Sequence, residues 1–389
     1  MRKLRVYTIV LVILVIISIT TLYFKSNKET EQEFNRPEEA FLASHYSIFK
    51  KYQNEDPLFH INKISDIKQK EKFDKELKEK LIELLDMPLE KIPVSEIPGS
   101  EIKVTDKDKY IEKKISILTS KDTAANAYLL VPKNVELPAP AVMAMHQHGG
   151  NYEYGKEEVV GNLGDPNLAY GKELAERGYV VFAMDSFLFG ERQLKNNNSN
   201  EIIETIVSQR LFNLGHPPLG LIVQEDLVSL DFLSSLDFVD KENIGCIGHS
   251  FGGVRCMYLS ALDNRVKATV LSSSVGEMKL NIDSGIVYSW LTILPSVSKY
   301  TSISSILALI APRPLMIVYT ENDPIYLAQD AQNSINEVRR FYKTVDKDLN
   351  FISLFVPNTS HAFPASIHSS VYTFLDNHLK NNQKNNQNF

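Results

Sequence analysis

The sequence predicts an α/β fold, in which a mostly parallel central sheet carries helices on both faces. From residue 139 onward, short apolar runs typical of buried strands alternate with stretches of helical periodicity. Ser250 lies between Gly248 and Gly252 directly after one of those runs, at a turn from strand to helix. The 389 residues, 43% of them hydrophobic, are enough to bury a sizeable core.

Residues 1–25 differ in composition from the rest of the chain, because a few positive charges are followed by a long apolar run. Arg2, Lys3 and Arg5 precede a mostly apolar run, residues 6–24, that is long enough to span a bilayer as a helix. A cleaved signal peptide is the alternative, but residues 22–25 offer no small-residue cleavage site. We therefore expect residues 1–25 to be a membrane anchor. The preceding positive charges favour an arrangement with the bulk of the chain on the extracytoplasmic side, and cleavage would make the protein secreted.

Residues 26–100 are predicted to form a tether and an N-terminal helical extension. The tether is the polar stretch 26–38, and the extension contains an amphipathic helix over 67–87 that ends at Pro88. Strands follow at 110–118 and 126–131, in the first part of a domain expected to span residues 101–380. These two strands should form an antiparallel edge of the sheet.

The rest of that domain contains the alternating elements. Strands are predicted at 142–145, 179–184, 244–247, 266–271, 315–319 and 351–356, and helices at 168–177, 219–239, 327–342 and 367–379. Between two of these elements, the segment 186–218 has little apolar periodicity. It is interpreted either as a lid or substrate wall, or as a plain surface insertion. The Asn/Gln/Lys-rich tail, residues 381–389, is expected to be disordered.

Composition excludes some functions. The net charge is −6 and the 42 Lys and Arg residues are spread along the chain, so nothing indicates nucleic-acid binding. The two cysteines, Cys246 and Cys256, lie in apolar patterns. We expect two small buried side chains there and no disulfide, because a disulfide requires specific geometry.

The Gly-x-Ser-x-Gly turn predicts a nucleophile. A serine in such a turn has a strained backbone, and the glycines two positions before and after leave room for the helix to pack on the strand. The Ser250 hydroxyl would then be exposed at a helix N-terminus. The following N–H, on Phe251, would point to where an oxyanion forms.

A serine hydroxyl needs a base, and in hydrolases with this turn the acid and the base follow the serine along the chain. Of the downstream histidines, His361 comes just after a predicted strand, whereas His368 and His378 fall within a predicted helix. Asp323, which follows the strand 315–319, is the predicted acid. Glu321 is its competitor.

A second oxyanion donor is expected in the loop that follows the strand 142–145. Gly149 and Gly150 would let the backbone there approach a substrate closely. The donor is assigned to the His148 N–H, with Gln147 as the alternative. His146 and His148 form a His-x-His pair, but no carboxylate or further His or Cys adjoins them, so no metal site is predicted.

These residues together resemble the α/β-hydrolase superfamily, and within it the dienelactone hydrolase-like and acetyl xylan esterase-like esterases. The resemblance covers about residues 139–379. It rests on the stretches 146–150, 178–185 with 189–192, 248–253, 321–324 and 360–364. It implies hydrolysis of carboxylic esters, often deacetylation, on a small-molecule or carbohydrate ester and without a cofactor. Dienelactone hydrolases proper carry a cysteine where this chain has Ser250, and Gln147 stands where a glycine is common.

The predicted mechanism is acyl transfer. Ser250 attacks the ester, His361 moves the proton, Asp323 orients His361, and the N–H groups of Phe251 and His148 hold the negative charge. Two alternatives differ in class: a prolyl-oligopeptidase-type serine peptidase, and a catalytically inactive binding protein anchored at the surface. A peptidase of that type would carry a propeller-length N-terminal region, and this sequence shows none. The intact Ser-Asp-His set argues against an inactive binding protein.

Overall fold

The structure of the chain is a computed structural model that describes residues 56–90, 92–93, 99–194, 198–276 and 286–380. The predicted membrane anchor, the tether and the tail at 381–389 lie outside these residues. Within them, none of the helices has the combined length and apolar character that crossing a membrane requires.

Nine strands of the described residues form one sheet, in the order β1-β2-β3-β5-β4-β6-β7-β8-β9. The strands are β1 Ser100–Asp106, β2 Tyr110–Leu118, β3 Ala124–Pro132, β4 Ala139–Met145, β5 Val180–Met184, β6 Val239–His249, β7 Val266–Ser272, β8 Leu315–Thr320 and β9 Phe351–Val356. Pairing is antiparallel from β1 through β3 to β5 and parallel across the rest of the sheet. The antiparallel edge and the parallel body both match the prediction.

Helices precede the first strand, connect the parallel strands and follow the last strand. They are α1 Ile67–Leu85, α2 Lys156–Val159, α3 Tyr170–Glu176, α4 Asn200–Asn213, α5 Pro218–Ser235, α6 Phe251–Leu262, α7 Val297–Tyr300, α8 Ile303–Ala308, α9 Ala328–Thr344 and α10 Ala365–Leu379. Single 3-10 turns also occur, one of them at Trp290–Thr292. The predicted helices at 67–87, 168–177, 219–239, 327–342 and 367–379 correspond to α1, α3, α5, α9 and α10.

The core lies on both faces of the sheet because side chains along a strand alternate in direction. In β4, Met143 and Met145 belong to the apolar cluster that includes residues of α1, α5 and α6. Val142 and Ala144, from the same strand, belong to the cluster that includes residues of α3 and α10. The predicted fold class, a mostly parallel sheet with helices on both faces, is confirmed.

Local structure differs from the prediction in several places. Helix α5 ends at Ser235, whereas the predicted helix continued to Val239, which instead begins β6. Strand β1 was not predicted because most of its side chains are exposed, so no buried face marks it. Helix α4 occupies part of the segment 186–218. Its apolar residues are distributed around the helix and form no single apolar face, and the side chains that it buries are Ile203, Glu204 and Ser208. Helix α1 ends at Leu85, before Pro88, because Asp86 adopts a left-handed conformation with φ 42°.

Candidate active site

Ser250 occupies the turn between β6 and α6, which we call the elbow. Its backbone has φ 56° and ψ −124°, and its N–H donates to the Ser272 carbonyl at 2.8 Å. A Cβ on Gly248 would lie 2.2 Å from the Gly252 carbonyl carbon, and one on Gly252 would lie 2.0 Å from the Met145 carbonyl oxygen. Neither glycine can carry a side chain here, so the strained turn that places Ser250 at the start of α6 depends on both.

Three side chains predicted to act together meet at the carboxyl edge of the sheet. His361 Nε2 lies 2.7 Å from Ser250 Oγ, and His361 Nδ1 lies 2.9 Å from Asp323 Oδ2. Because an ionised carboxylate only accepts hydrogen bonds, Nδ1 carries the proton and Nε2 is left to accept from the serine hydroxyl. The arrangement suits a serine that is deprotonated as it attacks.

Asp323 is held firmly in this position. Its Oδ1 accepts the backbone N–H groups of Ile325 and Tyr326, each at 2.9 Å, which leaves Oδ2 for His361. Burial alone would raise the pKa of Asp323. The hydrogen bond and charge of His361, together with the two N–H groups, outweigh burial and lower that pKa. The carboxylate is therefore ionised at neutral pH.

Glu321, the competing acid, does not face the imidazole. Its Oε2 accepts the Asn358 N–H at 2.7 Å, and the Asn322 N–H donates to the Thr359 carbonyl at 2.9 Å. These bonds join the loop after β8 to the loop that carries His361. Glu321 thus supports the His361 loop, and Asp323 is the carboxylate that contacts the histidine.

His361 is packed between two rings that the sequence did not single out. The Tyr326 ring stacks on it at 6.0 Å between centroids, and the His249 ring lies 4.8 Å away. Burial, together with the charge of His361, lowers the pKa of His249 to about 3, so His249 is neutral. Its position immediately before Ser250 was the one available signal for His249.

The predicted oxyanion donors lie beside Ser250. Phe251 is the first residue of α6, so its N–H has no acceptor within the helix. His148, like Phe251 and Ser250, lines the cavity described below. The side chain of Gln147, the alternative donor residue, donates to Glu158 Oε1 at 3.3 Å.

His146, the first residue of the loop, has a structural position. It is buried, its Nδ1 lies 2.7 Å from the Gln147 carbonyl, and its Nε2 accepts the Ser186 N–H at 3.0 Å. Burial and the charge of Arg255 hold the pKa of His146 well below its usual range. A neutral His146 therefore ties the loop 146–150 to the end of β5. Among the residues that the structure describes, no group of three or more His, Cys, Asp or Glu is arranged to hold a metal ion.

A cavity of about 470 Å³ opens over Ser250. Its lining includes five aromatic side chains: Tyr152, Phe251, Tyr288, Trp290 and Tyr326. Helix α4 contributes Glu201, Glu204 and Thr205, so part of the segment 186–218 forms a wall of this cavity. A larger groove, about 610 Å³, lies between Lys109 and Tyr372 and contains none of the predicted site residues.

The prediction that Cys246 and Cys256 are unpaired is wrong. A disulfide joins them, with their Cα atoms 5.8 Å apart. The sharp elbow folds α6 back against β6, which brings a strand residue and a helix residue within the distance that a disulfide spans. The closed loop contains Ser250.

The side chains of Asp185 and Arg192 pair with other residues and not with each other. Asp185 pairs with the buried Lys156, whose Nζ lies 2.5 Å from Oδ2. Arg192 forms two hydrogen bonds to Glu225, at 2.7 and 2.6 Å, and contacts Asp185 only through its carbonyl, at 3.2 Å. Lys156 neutralises the charge of the Asp185 carboxylate, and nothing in the spacing of these two residues in the sequence indicated this ion pair.

Comparison with known proteins gives one family and one curated relative. The model of the Abhydrolase family matches residues 23–344. YtaP of Bacillus subtilis (strain 168), a protein named as a hydrolase, is 33% identical over 226 residues, which are 56% of this chain and 72% of YtaP.

Solved structures share the fold. One from Bacteroides fragilis NCTC 9343, named as an acetyl xylan esterase, has a TM-score of 0.68 at 21% identity and covers 87% of this chain and 91% of its own. A glucuronoyl esterase from Solibacter usitatus has a TM-score of 0.54 at 13% identity, covering 77% and 91%. At these identities the likeness establishes the fold.

Proposed function

The chain belongs to the Abhydrolase family, and we propose that it is a serine hydrolase that cleaves carboxylic esters through Ser250, His361 and Asp323. One observation carries the proposal: His361 bridges the Ser250 hydroxyl at 2.7 Å and the Asp323 carboxylate at 2.9 Å. Hydrogen-bond contact from nucleophile to base, and from base to orienting acid, is the requirement for an activated serine.

Acylation begins when Ser250 Oγ attacks the ester carbonyl carbon and its proton passes to His361 Nε2. The carbonyl oxygen becomes an oxyanion, which the N–H groups of Phe251 and His148 stabilise. Asp323 stabilises the imidazolium that forms. His361 then gives its proton to the leaving alkoxide oxygen, the carbon–oxygen bond breaks, and an acyl-Ser250 ester remains.

Deacylation repeats these steps with water. His361 Nε2 takes a proton from water as its oxygen attacks the acyl carbon, and the same two N–H groups hold the second oxyanion. His361 returns the proton to Ser250 Oγ when the acyl bond breaks. The carboxylic acid leaves and the serine is restored, so the cycle uses no cofactor.

The cavity supports a carbohydrate ester as substrate. Tyr288 and Trp290 are half-buried, and both line the opening above Ser250. Partly exposed aromatic rings provide apolar faces against which the C–H face of a sugar ring can pack. The structural neighbours named as acetyl xylan and glucuronoyl esterases suggest the same class.

An activity-based probe tests the proposal. The full chain should react covalently with a fluorophosphonate and should hydrolyse p-nitrophenyl acetate. Ser250→Ala should lose the label and about a millionfold in turnover, the scale seen when such a catalytic unit is broken. Failure of the intact protein to label would favour an inactive binding protein. Turnover of proline-containing peptides in preference to acetyl esters would favour a peptidase.

We also propose that residues 1–25 anchor the enzyme in a membrane with the catalytic domain on the extracytoplasmic side. The charges at Arg2, Lys3 and Arg5 before the apolar run support this orientation. Fractionation of expressing cells, with protease added to intact spheroplasts, tests it. The expected result is membrane-bound activity that protease can reach. Activity in the medium would indicate cleavage, and protected soluble activity would contradict the proposal.

A further inference from the structure

Helix α4 brings a buried carboxylate to the loop 146–150, which contains the proposed oxyanion donor His148. Glu204 is 3% exposed, and its Oε2 accepts hydrogen bonds from His148 Nε2 at 2.7 Å and from the Tyr152 hydroxyl at 2.6 Å. Its Oε1 accepts from the Ser289 hydroxyl at 2.8 Å and from the Trp290 N–H at 3.0 Å. Four donors thus converge on one side chain that the proposed reaction does not use.

The contacts of the two ring nitrogens show which of them donates in the hydrogen bond between His148 and Glu204. The Gly150 N–H donates to His148 Nδ1 at 3.2 Å, so Nδ1 is an acceptor and Nε2 carries the proton. Burial would raise the pKa of Glu204, but the hydrogen bonds from His148, Tyr152 and Ser289 outweigh burial and lower it. The Glu204 carboxylate is strongly held because each of its two oxygens accepts two hydrogen bonds. A hydrogen bond to a charged group is stronger than one between two neutral groups.

These bonds join three segments around the cavity. They connect the loop 146–150, helix α4 and the 289–290 segment, each of which lines the opening over Ser250. The His148 ring also packs against Phe189 at 5.2 Å and lies 6.5 Å from the Phe251 ring. The side chain of His148 is therefore fixed on several sides.

The backbone of the loop needs such a restraint. Gly149 and Gly150, the two residues after His148, have positive φ values of 57° and 67°. Glycine there permits the turn but restricts the backbone little. An oxyanion donor is effective only when it is already directed at the position where charge develops.

We propose that Glu204 is a positioning residue, which holds the His148 ring and thereby keeps the His148 N–H directed at the oxyanion. The inference rests on the proposed ester hydrolysis. It makes α4 part of the catalytic apparatus and gives the segment 186–218 a role beyond forming a wall.

Steady-state hydrolysis of p-nitrophenyl acetate by the full chain tests the proposal. Glu204→Gln keeps the shape but replaces two acceptor positions with N–H donors, so some of the four donors lose their acceptor. Its kcat should fall 10- to 100-fold with KM changed less than about twofold, because losing one oxyanion donor outright costs about 100- to 1,000-fold. His148→Ala retains the backbone N–H and removes only the ring, and should give a similar loss.

A variant that carries both Glu204→Gln and His148→Ala distinguishes an effect of Glu204 through His148 from a general disturbance of the structure. If Glu204 acts through His148, Glu204→Gln with His148→Ala should be no slower than the slower single variant. Gln209→Ala, at an exposed position of the same helix outside the cavity, is the matched control and should retain wild-type kcat. Should Glu204→Gln not fold, as judged by circular dichroism, His148→Ala decides the matter alone.

Three results would overturn the proposal while the wild type hydrolyses the ester. They are an unchanged kcat in His148→Ala, losses confined to KM, and multiplicative losses in the double variant. An inactive wild-type protein that also fails to label with fluorophosphonate would instead reject the proposed function on which the inference rests.

Discussion

His361 Nε2 lies 2.7 Å from Ser250 Oγ although 111 positions separate the two residues. The order of strands in the sheet explains why these two residues lie close together. Strands β6, β7, β8 and β9 are parallel neighbours, so their carboxyl ends share one edge. Ser250 follows β6, Asp323 follows β8 and His361 follows β9, and each therefore reaches the same edge.

Asp323 should be required for fast catalysis and Glu321 should not. In Asp323→Asn the amide can donate to Nδ1, which favours the tautomer whose Nε2 carries a proton and cannot accept from Ser250. We expect kcat to fall about 1,000- to 10,000-fold. Glu321→Gln retains an acceptor for the Asn358 N–H and should remain close to wild type. Comparable losses in both variants would contradict the assignment of the acid.

The elbow should not accept a side chain at Gly252. A Cβ there would lie 2.0 Å from a backbone oxygen of β4, which cannot move without breaking the sheet. Gly252→Ala should cost roughly 3 kcal/mol or more of unfolding free energy and reduce soluble yield. At Gly276 an added Cβ would lie 3.6 Å from the Tyr326 ring, an ordinary contact, so Gly276→Ala should change stability by less than about 0.5 kcal/mol. Urea unfolding of the two variants makes the comparison, and equal stability would argue against this elbow geometry.

The sequence predicted the features that depend on local pattern and chain order. The bounds of β9 match the prediction because the strand is an apolar run followed by a turn. The order of Ser250, Asp323 and His361 along the chain predicted that these three residues lie in one site. Features that depend on tertiary contacts were missed. The apolar residues of helix α4 form no single face, so the sequence pattern revealed neither the helix nor the buried contacts of Glu204. The disulfide required the fold-back of α6 on β6, which residue spacing does not specify.

The disulfide should stabilise the elbow. Closing a loop of this length removes unfolded-state entropy worth about 2 to 3 kcal/mol at 25 °C. Replacing Cys246 and Cys256 together with alanine should lower the unfolding free energy by that amount. Added reductant should then have no further effect on the variant. Thiol titration in denaturant provides the direct check, since the isolated protein should show no free thiols before reduction and two after it. Two thiols without reduction would show that the cysteines are unpaired.

His249 should make stability depend on pH. Its pKa is about 3 in the folded protein, against about 6.5 for an unperturbed histidine in the unfolded chain. Between these values the unfolded state binds a proton that the folded state does not, so the contribution of His249 to stability rises with pH and falls as the solution is acidified.

The variant His249→Asn isolates this contribution. His249 Nδ1 lies 3.1 Å from the Ser272 hydroxyl oxygen, and asparagine keeps a polar side chain there but does not titrate. On going from pH 7 to pH 5, the wild type should lose about 2 kcal/mol more unfolding free energy than the variant, since each pH unit in the window is worth up to about 1.4 kcal/mol. Urea unfolding followed by fluorescence at pH 5, 6 and 7 measures both proteins, and His249→Gln should repeat the result. Parallel pH curves for wild type and both variants would mean that His249 is not buried as a neutral side chain. The packing of His361 between His249 and Tyr326 would then have to be reconsidered.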